Sequence, residues 1–344
     1  MTWSLLLAGL VRGEDQPAEA TAWAMEQILS GAATPAQLAA FAVALRTKGE
    51  TVEEMTGLAD TMLDFATPIE IGGPAVDLVG SGGDRSNTVN ISTMAAVVAA
   101  AAGARVVKHG NRAASSACGS ADVLEALGVV LDLAPTDQQR MVDEVGIAFL
   151  FAPLYHAGLR HASTVRRELG IPTTFNYLGP LANQAQPVAQ AVGVADARMA
   201  DLMAGVFAAR GNQGLVVHGG DGLDELTTTT SSTIWAYADG VVTRSELDPT
   251  DLGIPRADLT DLVGGDAAHN AEVFRTVLDG RAGPVRDVVV LNAAAALVAE
   301  AKPDVADLVG QFRAQLARAE ESIDSGAARA KLSDWVSATR AVGT

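Results

Sequence analysis

The chain has 344 residues, of which 49% are hydrophobic and 19% charged, a balance typical of globular proteins and not of disordered ones. A formal net charge of −17 and an aromatic content of 4% argue against broad binding to nucleic acids or anionic membranes. The single cysteine, Cys118, excludes an intrachain disulfide and a cysteine-based zinc site.

The first fifteen residues lack the basic stretch of a signal peptide. The longest apolar run, 94–104, is shorter than the ~18–20 residues that a membrane span needs. We therefore expect a cytoplasmic protein, and the length of the chain favours two domains.

The first seventy residues are predicted to be entirely helical, because their apolar residues recur at helical spacing. Thr34 and Pro35 predict the start of one helix, and Thr51 with Glu54 predicts a capping box at the start of the next. Glycine and proline at 72–74 then mark a boundary between domains 1–70 and 71–344.

After this boundary, short β-rich runs alternate with helical segments, which indicates an α/β domain with a mainly parallel sheet. Asp239-Gly240 predicts the turn of a hairpin, and the chain is again predicted to be helical from Asp266 onward. The candidate strands are 75–79, 105–108, 129–131, 147–151, 188–194 and 214–218, and the candidate helices between them are 92–102, 120–127, 136–145 and 197–209.

Residues 76–93, VDLVGSGGDRSNTVNIST, form the most informative segment of the chain. An apolar strand is followed by a turn in which Gly80, Gly82 and Gly83 can take positive φ, and then by a helix that Asn90 or Ser92 can cap. Such a turn directs unpaired N–H groups and a helix dipole at an anion, typically a phosphate. The segment matches neither a Walker loop nor the dinucleotide fingerprint.

A second polar cluster lies in residues 108–128, KHGNRAASSACGSADVLEALG. Lys108 and Arg112 are candidates for binding phosphate or carboxylate, and Asn111 for binding an amine or a carbonyl. Three serines add hydroxyl donors, and the last of them is also a candidate helix cap: Ser115, Ser116 and Ser120.

An acidic pair, Asp224-Glu225, follows another glycine-rich turn. Carboxylate oxygens suit Mg²⁺, which keeps several waters and binds substrate phosphates. Because the carboxyl ends of parallel strands meet at one edge of a sheet, we expect the acidic pair and both polar clusters to lie close together.

The ordered set GSGGDRSNTVNIST, KHGNRAASSACGSADVLEALG, FAPLYHAGLR with VRRELG, FNYLGPLANQA and HGGDGLDE resembles the signatures of the anthranilate phosphoribosyltransferase family of tryptophan biosynthesis. The resemblance implies a fold like that of nucleoside phosphorylases and phosphoribosyltransferases, in which a segment at about 162–182 returns to the helical domain. It also implies a homodimer formed through the helical domains. The implied reaction joins the amine of anthranilate to C1 of phosphoribosyl pyrophosphate (PRPP), requires Mg²⁺ and releases pyrophosphate.

The resemblance also implies site residues. For PRPP they are Gly80, Gly82, Gly83, Asp84, Thr88, Asn90, Ser92, Thr93 and Lys108; for the metal they are Ser92, Asp224 and Glu225; and for anthranilate they are Gly80, His109, Asn111, Arg166 and Gly179. The arginine would grip the anthranilate carboxylate in bidentate fashion. His109 would act either as a late proton acceptor or as a wall of the pocket.

The sequence departs from the family pattern at Ser81, at His156-Ala157-Gly158 and at Gln184, but none of these changes removes a charged or metal-binding group. Two other functions stay open. A pyrimidine nucleoside phosphorylase shares the implied fold, but that family is longer and binds phosphate through a different Lys/Ser pattern. A non-catalytic relative that binds a ligand or nucleic acid is opposed by the acidic charge and by the acidic pair.

Overall fold

The computed structural model describes residues 1–113 and 117–342. The chain begins with a bundle of helices whose starts follow local capping rules. The predicted capping box of Thr51 and Glu54 is formed, and Thr34 forms a second one with Gln37. The bundle consists of α1 (Trp3–Val11), α2 (Ala18–Leu29), α3 (Pro35–Lys48) and α4 (Val52–Asp64).

The described residues of the α/β part contain a seven-stranded sheet with the order β3-β2-β1-β4-β5-β6-β7. β1 to β5 are parallel, and the last two strands pair in antiparallel fashion. The predicted hairpin turn is present, with φ of 51° at Asp239 and 76° at Gly240. The strands are β1 (Val76–Gly80), β2 (Val106–Gly110), β3 (Ile147–Phe151), β4 (Ala189–Gly193), β5 (Gln213–Gly219), β6 (Ser232–Ala238) and β7 (Val241–Leu247).

Helices connect and cover the strands, as the alternating pattern predicts. Between the strands lie α5 (Ile91–Ala101), α6 (Ser120–Leu127), α7 (Pro135–Glu144), α8 (Ala152–Tyr155), α9 (Arg160–Leu169), α10 (Phe175–Leu178) and α11 (Ala197–Ala209). The last helices are α12 (Ala267–Leu278), α13 (Pro284–Glu300), α14 (Leu308–Asp324) and α15 (Ala327–Val342). Short 3₁₀ turns occur at Ala157–Leu159, Pro249–Leu252 and Leu259–Leu262.

The two faces of the sheet belong to different hydrophobic cores, because successive strand residues point to opposite sides. Leu215 and Val217 pack into a core that contains the apolar helices α5 and α13. Val216 packs into a second core, which α11 shares with the N-terminal helices. Helix α9 packs against α2 and α3, so the chain returns to the N-terminal bundle after β3.

The predicted strand at 129–131 was wrong. Val129 and Leu131 are buried, but the N–H of Val129 bonds to the carbonyl of Leu124 and the N–H of Val130 bonds to Thr339 Oγ1. The run is therefore a core-lining connection without a neighbouring strand, and a short apolar run has the same pattern in both cases. In the ranges described, no helix has both the length and the apolar character needed to cross a bilayer.

Candidate active site

The candidate site lies where the order of the parallel strands changes direction. The chain runs from β1 outward to β2 and β3, and then places β4 on the opposite side of β1. In open α/β sheets such a switch point opens a crevice at the carboxyl ends of the strands. A cavity of about 370 Å³ lies there, lined by residues that follow β1, β2 and β5 together with Arg166 of α9 and Asn176 of α10.

Most of the predicted site residues line this cavity. His109 and Gly179 are not among the lining residues, and Ser115 and Ser116 lie outside the described residues. Asn176 was missed by the sequence analysis, although it lies within the quoted FNYLGPLANQA motif. The predicted residues that line the cavity are Gly80, Gly82, Gly83, Asp84, Thr88, Asn90, Ser92, Thr93, Lys108, Asn111, Arg166, Asp224 and Glu225.

Two of the three glycines expected to take positive φ at the end of β1 do so. Gly82 and Gly83 have φ of 71° and 90°, in the region that side chains with a Cβ disfavour. Gly80 does not have positive φ, so that prediction was wrong at this position. It is small for a different reason: a Cβ there would lie 2.4 Å from Asp224 Oδ2.

Asp224 joins the loop after β5 to the glycine turn. Its Oδ2 accepts the backbone N–H of Gly82 at 2.6 Å. The loop crosses the end of β4 so closely that a Cβ on Gly193 would lie 1.7 Å from the Asp224 carbonyl oxygen. Asp221 shapes the same loop by accepting the hydroxyls of Thr227 and Thr229 at 2.7 and 2.5 Å.

Asp224 and Glu225 are both only 8% exposed, and both line the cavity together with the glycine turn. Burial, together with the neighbouring Glu225 and Asp84 carboxylates, raises the pKa of Asp224 well above its ordinary value. Burial likewise raises the pKa of Glu225 to about 7, although Lys108 and Ser92 oppose that shift. Burial thus disfavours the ionised form of both acids, and a cation bound beside them would favour it.

Lys108 is buried beneath this cavity. Its ammonium donates to the Leu78 carbonyl and lies 3.4 Å from Ser92 Oγ. Burial lowers the pKa of Lys108, while Asp77, Glu225 and Asp224 act in the opposite direction. One buried cation therefore lies beside the acidic pair, close to the start of α5.

The other predicted cation of this cluster, Arg112, already has partners. Its guanidinium pairs with Glu125 and Asp122 and lies over the ring of Phe151, with 5.4 Å between Cζ and the ring centroid. These ion pairs fix Arg112 at the rim of the cavity and reduce its capacity to bind an anion.

The predicted N-cap position of Asn90 is confirmed and that of Ser120 was wrong, but neither side chain forms a capping hydrogen bond. Asn90 occupies the N-cap position of α5, but its amide donates to the Cys118 carbonyl and its Oδ1 accepts from Asn270 at 2.9 Å. Ser120 is the first residue of α6, after the N-cap Gly119, and its hydroxyl bonds to the Asn111 carbonyl. Both side chains instead tie the cavity wall together.

Arg166 also lines the cavity, on α9, the helix that returns to the bundle. Its guanidinium lies over the Phe175 ring, with 5.8 Å between Cζ and the centroid. Among the described residues it has no hydrogen bond or ion pair, and burial lowers its pKa. A partly buried cation without a partner at the wall of a cavity is suited to a carboxylate, which its planar fork can bind with two hydrogen bonds.

The residues present fit a magnesium ion. The described residues contain no cluster of three or more histidine, cysteine, aspartate or glutamate side chains that could hold a metal by themselves. Mg²⁺ does not need such a cluster, because it is usually held by one or two carboxylates and takes waters and substrate phosphates as its other ligands. Asp224 and Glu225 would supply the carboxylates, and Ser92, which lines the same cavity, would add a hydroxyl.

Two family models match the chain. Residues 5–66 match the helical bundle domain of a glycosyl transferase family, and residues 72–329 match its a/b domain. The curated anthranilate phosphoribosyltransferase of Thermobifida fusca (strain YX) is 58% identical over 340 residues, which cover 99% of this chain and 97% of that protein. The chain belongs to the anthranilate phosphoribosyltransferase family.

Solved structures of anthranilate phosphoribosyltransferases have the same fold. The enzyme of Thermus thermophilus is 38% identical with a TM-score of 0.90, and the match covers 97% of this chain and 99% of that one. The Saccharomyces cerevisiae enzyme in complex with PRPP and Mg is 26% identical with a TM-score of 0.83, covering 94% and 93% of the two chains. These matches confirm the predicted fold class, a helical domain beside a larger domain with a mostly parallel sheet.

Proposed function

We propose that this chain transfers the phosphoribosyl group of PRPP to the amine of anthranilate, giving N-(5-phosphoribosyl)anthranilate and pyrophosphate in tryptophan biosynthesis. The observation that carries the proposal is the set of residues that line a single cavity. It is lined by a glycine turn whose positive φ values let the backbone approach a phosphate and by a buried acidic pair. It is also lined by an arginine that has no ionic partner among the described residues. A polyphosphate donor and a carboxylate-bearing acceptor require this combination.

The PRPP half of the site is assigned to the walls formed by the turn after β1 and the end of β2. Gly82 and Gly83 allow the backbone to approach a phosphate closely, and the start of α5 adds a helix N-terminus. Lys108 adds a buried positive charge beneath them. The other proposed PRPP contacts are Gly80, Asp84, Thr88, Asn90, Ser92 and Thr93.

Mg²⁺ is the cofactor of the reaction, and we assign it to Asp224, Glu225 and Ser92. When bound, the ion neutralises the charge that develops on the pyrophosphate leaving group. The raised pKa of both acids supports this assignment, since a buried acidic pair favours a cation between its carboxylates.

The anthranilate half is assigned to the facing wall. Arg166 binds the carboxylate, and Asn111 and Gly80 line the path toward the PRPP side. His109 and Gly179 belong to this half too, although neither lines the cavity. Because Arg166 lies on α9, which packs on the N-terminal bundle, the acceptor and the donor are held by different parts of the fold. Holding the amine in line with C1 supplies much of the catalysis.

The pyrimidine nucleoside phosphorylase alternative is not favoured. An uncharged pyrimidine offers no opposite charge to Arg166, which is partly buried and has no ionic partner among the described residues, whereas the anthranilate carboxylate does. The direct test is the loss of anthranilate fluorescence in the presence of PRPP and Mg²⁺, with each component omitted in turn. Turnover of thymidine or uridine with phosphate, and none of anthranilate, would favour the phosphorylase.

The remaining proposals concern organisation. We assign residues 1–70, with the returning segment at about 162–182, to one domain and 71–344 to the other, and the contact of α9 with α2 and α3 supports this division. A homodimer through the helical domain is supported by apolar side chains that are exposed on α1 and α3: Leu5 at 67%, Val11 at 79% and Val43 at 38%. A mass measurement by light scattering tests it. The expected location is the cytoplasm, which fractionation of the source cells would test.

A further inference from the structure

His109 has both ring nitrogens occupied by the protein itself. It lies on β2 and is only 5% exposed. Its Nδ1 lies 2.5 Å from Asp77 Oδ2, and its Nε2 lies 2.8 Å from the carbonyl oxygen of Gly179. The ring therefore bridges the neighbouring strand β1 on one side and the segment after α10 on the other.

Both partners are acceptors. The Gly179 carbonyl can only accept a hydrogen bond, so Nε2 must carry a proton. The Asp77 carboxylate also accepts the backbone N–H of His109 at 3.3 Å, and the Asn183 side chain donates to it. A carboxylate that accepts two such donors is the ionised form, and an ionised Asp77 needs a donor at Nδ1 as well. The geometry therefore fits a ring with a proton on both nitrogens.

The carbonyl held by His109 lies close in the chain to residues of the acceptor side, although Gly179 does not itself line the cavity. Gly179 is the residue after α10, which carries Asn176 at the cavity and Phe175 beneath the Arg166 guanidinium. Asn176, which lines the cavity, and Phe175, which contacts Arg166, thus lie within four residues of Gly179 in the chain. Loss of that bond would leave α10 free to shift relative to β2. The Phe175 ring, which supports the Arg166 guanidinium, would shift with it.

We propose that His109 is a positioning residue that is protonated on both nitrogens, and that it acts as a clamp between Asp77 on β1 and Gly179 after α10 to set the acceptor wall. This inference rests on the proposed function, since it concerns the anthranilate half of the same site. It excludes His109 as the base that receives the amine proton, because neither ring nitrogen has a free lone pair.

Two substitutions separate the two bonds of the clamp. The amide nitrogen of asparagine in His109→Asn falls near the position of Nδ1, so this variant keeps the Asp77 contact and loses the Gly179 contact. The longer side chain in His109→Gln places its amide nitrogen near the position of Nε2 and keeps the Gly179 contact. We expect His109→Asn to raise the KM for anthranilate roughly tenfold, in line with loss of a charged hydrogen bond, and His109→Gln to restore most of it. The KM for PRPP should change little in either variant.

The decisive measurement uses the unaltered protein and does not depend on its activity. In ¹⁵N NMR of histidine-labelled chain at neutral pH, the His109 signal, assigned by its loss in either variant, should show protons on both ring nitrogens. A lone pair on either nitrogen would overturn the proposal. So would a fall of kcat in both variants at unchanged anthranilate KM, with loss of one limb of the pH–rate profile, which is the behaviour of a base. Failure of the unaltered chain to consume anthranilate would instead contradict the proposed function and leave the NMR result standing.

Discussion

Gly80→Ala tests whether the close approach of the glycine turn to Asp224 matters for the donor site. The added Cβ would lie 2.4 Å from Asp224 Oδ2, whereas unstrained contacts lie at about 3.5 Å, so the carboxylate must move by about 1 Å. Oδ2 accepts the Gly82 N–H at 2.6 Å, and this bond would break. A hydrogen bond to a charged group contributes about 1.5–3 kcal/mol, which is roughly 10- to 150-fold in an equilibrium constant.

We therefore expect Gly80→Ala to weaken the binding of PRPP with Mg²⁺ by tenfold or more, measured by titration calorimetry. Gly72→Ala is the matched control, because no atom lies within 4 Å of a Cβ at Gly72 and its φ is not positive. A thermal melt of both variants checks that the fold is retained. Unchanged PRPP and Mg²⁺ affinity in a folded Gly80→Ala variant would refute the reasoning that Asp224 and the turn act as one unit.

The other predictions concern metal, acceptor and stability. Asp224→Asn combined with Glu225→Gln should abolish the Mg²⁺ dependence together with most of kcat; a normal magnesium titration would assign the metal elsewhere. Arg166→Ala should raise the KM for anthranilate far more than that for PRPP, by about 1.5–3 kcal/mol, and Arg166→Lys should restore it only in part; equal damage to both constants would mean that the residue only supports the fold. Burial raises the pKa of Tyr155 to about 12, and its hydroxyl has no hydrogen-bond partner among the described residues. Because the pKa is raised in the folded state, the contribution of this hydroxyl to stability is fully present below pH ~10 and is lost as pH rises toward 12. In urea titrations, Tyr155→Phe should be at least as stable as the unaltered chain at pH 7 and should lose less stability above pH 10. An identical pH dependence of the two chains would contradict this.

Local signals in the sequence were sufficient for the elements that frame the site. The strand, glycine turn and helix at 76–93 were predicted because strand and helix periodicities change at the glycines. The Asp239-Gly240 hairpin and the Thr51 capping box follow equally local rules. Asp224 and Glu225 line the same cavity as the turn, as predicted, because the carboxyl ends of parallel strands meet at one edge of the sheet.

Features that depend on contacts between distant segments could not be predicted in this way. The pairing of Asp77 with His109 depends on the register between β1 and β2 and on both side chains pointing to the same face of the sheet, which neither segment encodes alone. Asn90 or Ser92 was expected to cap α5, and Asn90 does occupy the N-cap position. Its amide oxygen accepts from Asn270 instead of from the helix, and a residue 180 positions further along the chain cannot be found by a local rule. The engagement of Arg112 by Glu125 likewise depends on how α6 folds back on the loop before it.

Analysis of the products tests the central claim, that one cavity joins PRPP to anthranilate, most directly. The purified chain would be supplied with both substrates and Mg²⁺, and the products would be quantified by mass spectrometry and a pyrophosphate assay. The account predicts N-(5-phosphoribosyl)anthranilate and pyrophosphate in equal amounts, with neither formed when anthranilate is omitted. Release of pyrophosphate without anthranilate, or consumption of PRPP without the anthranilate adduct, would contradict it.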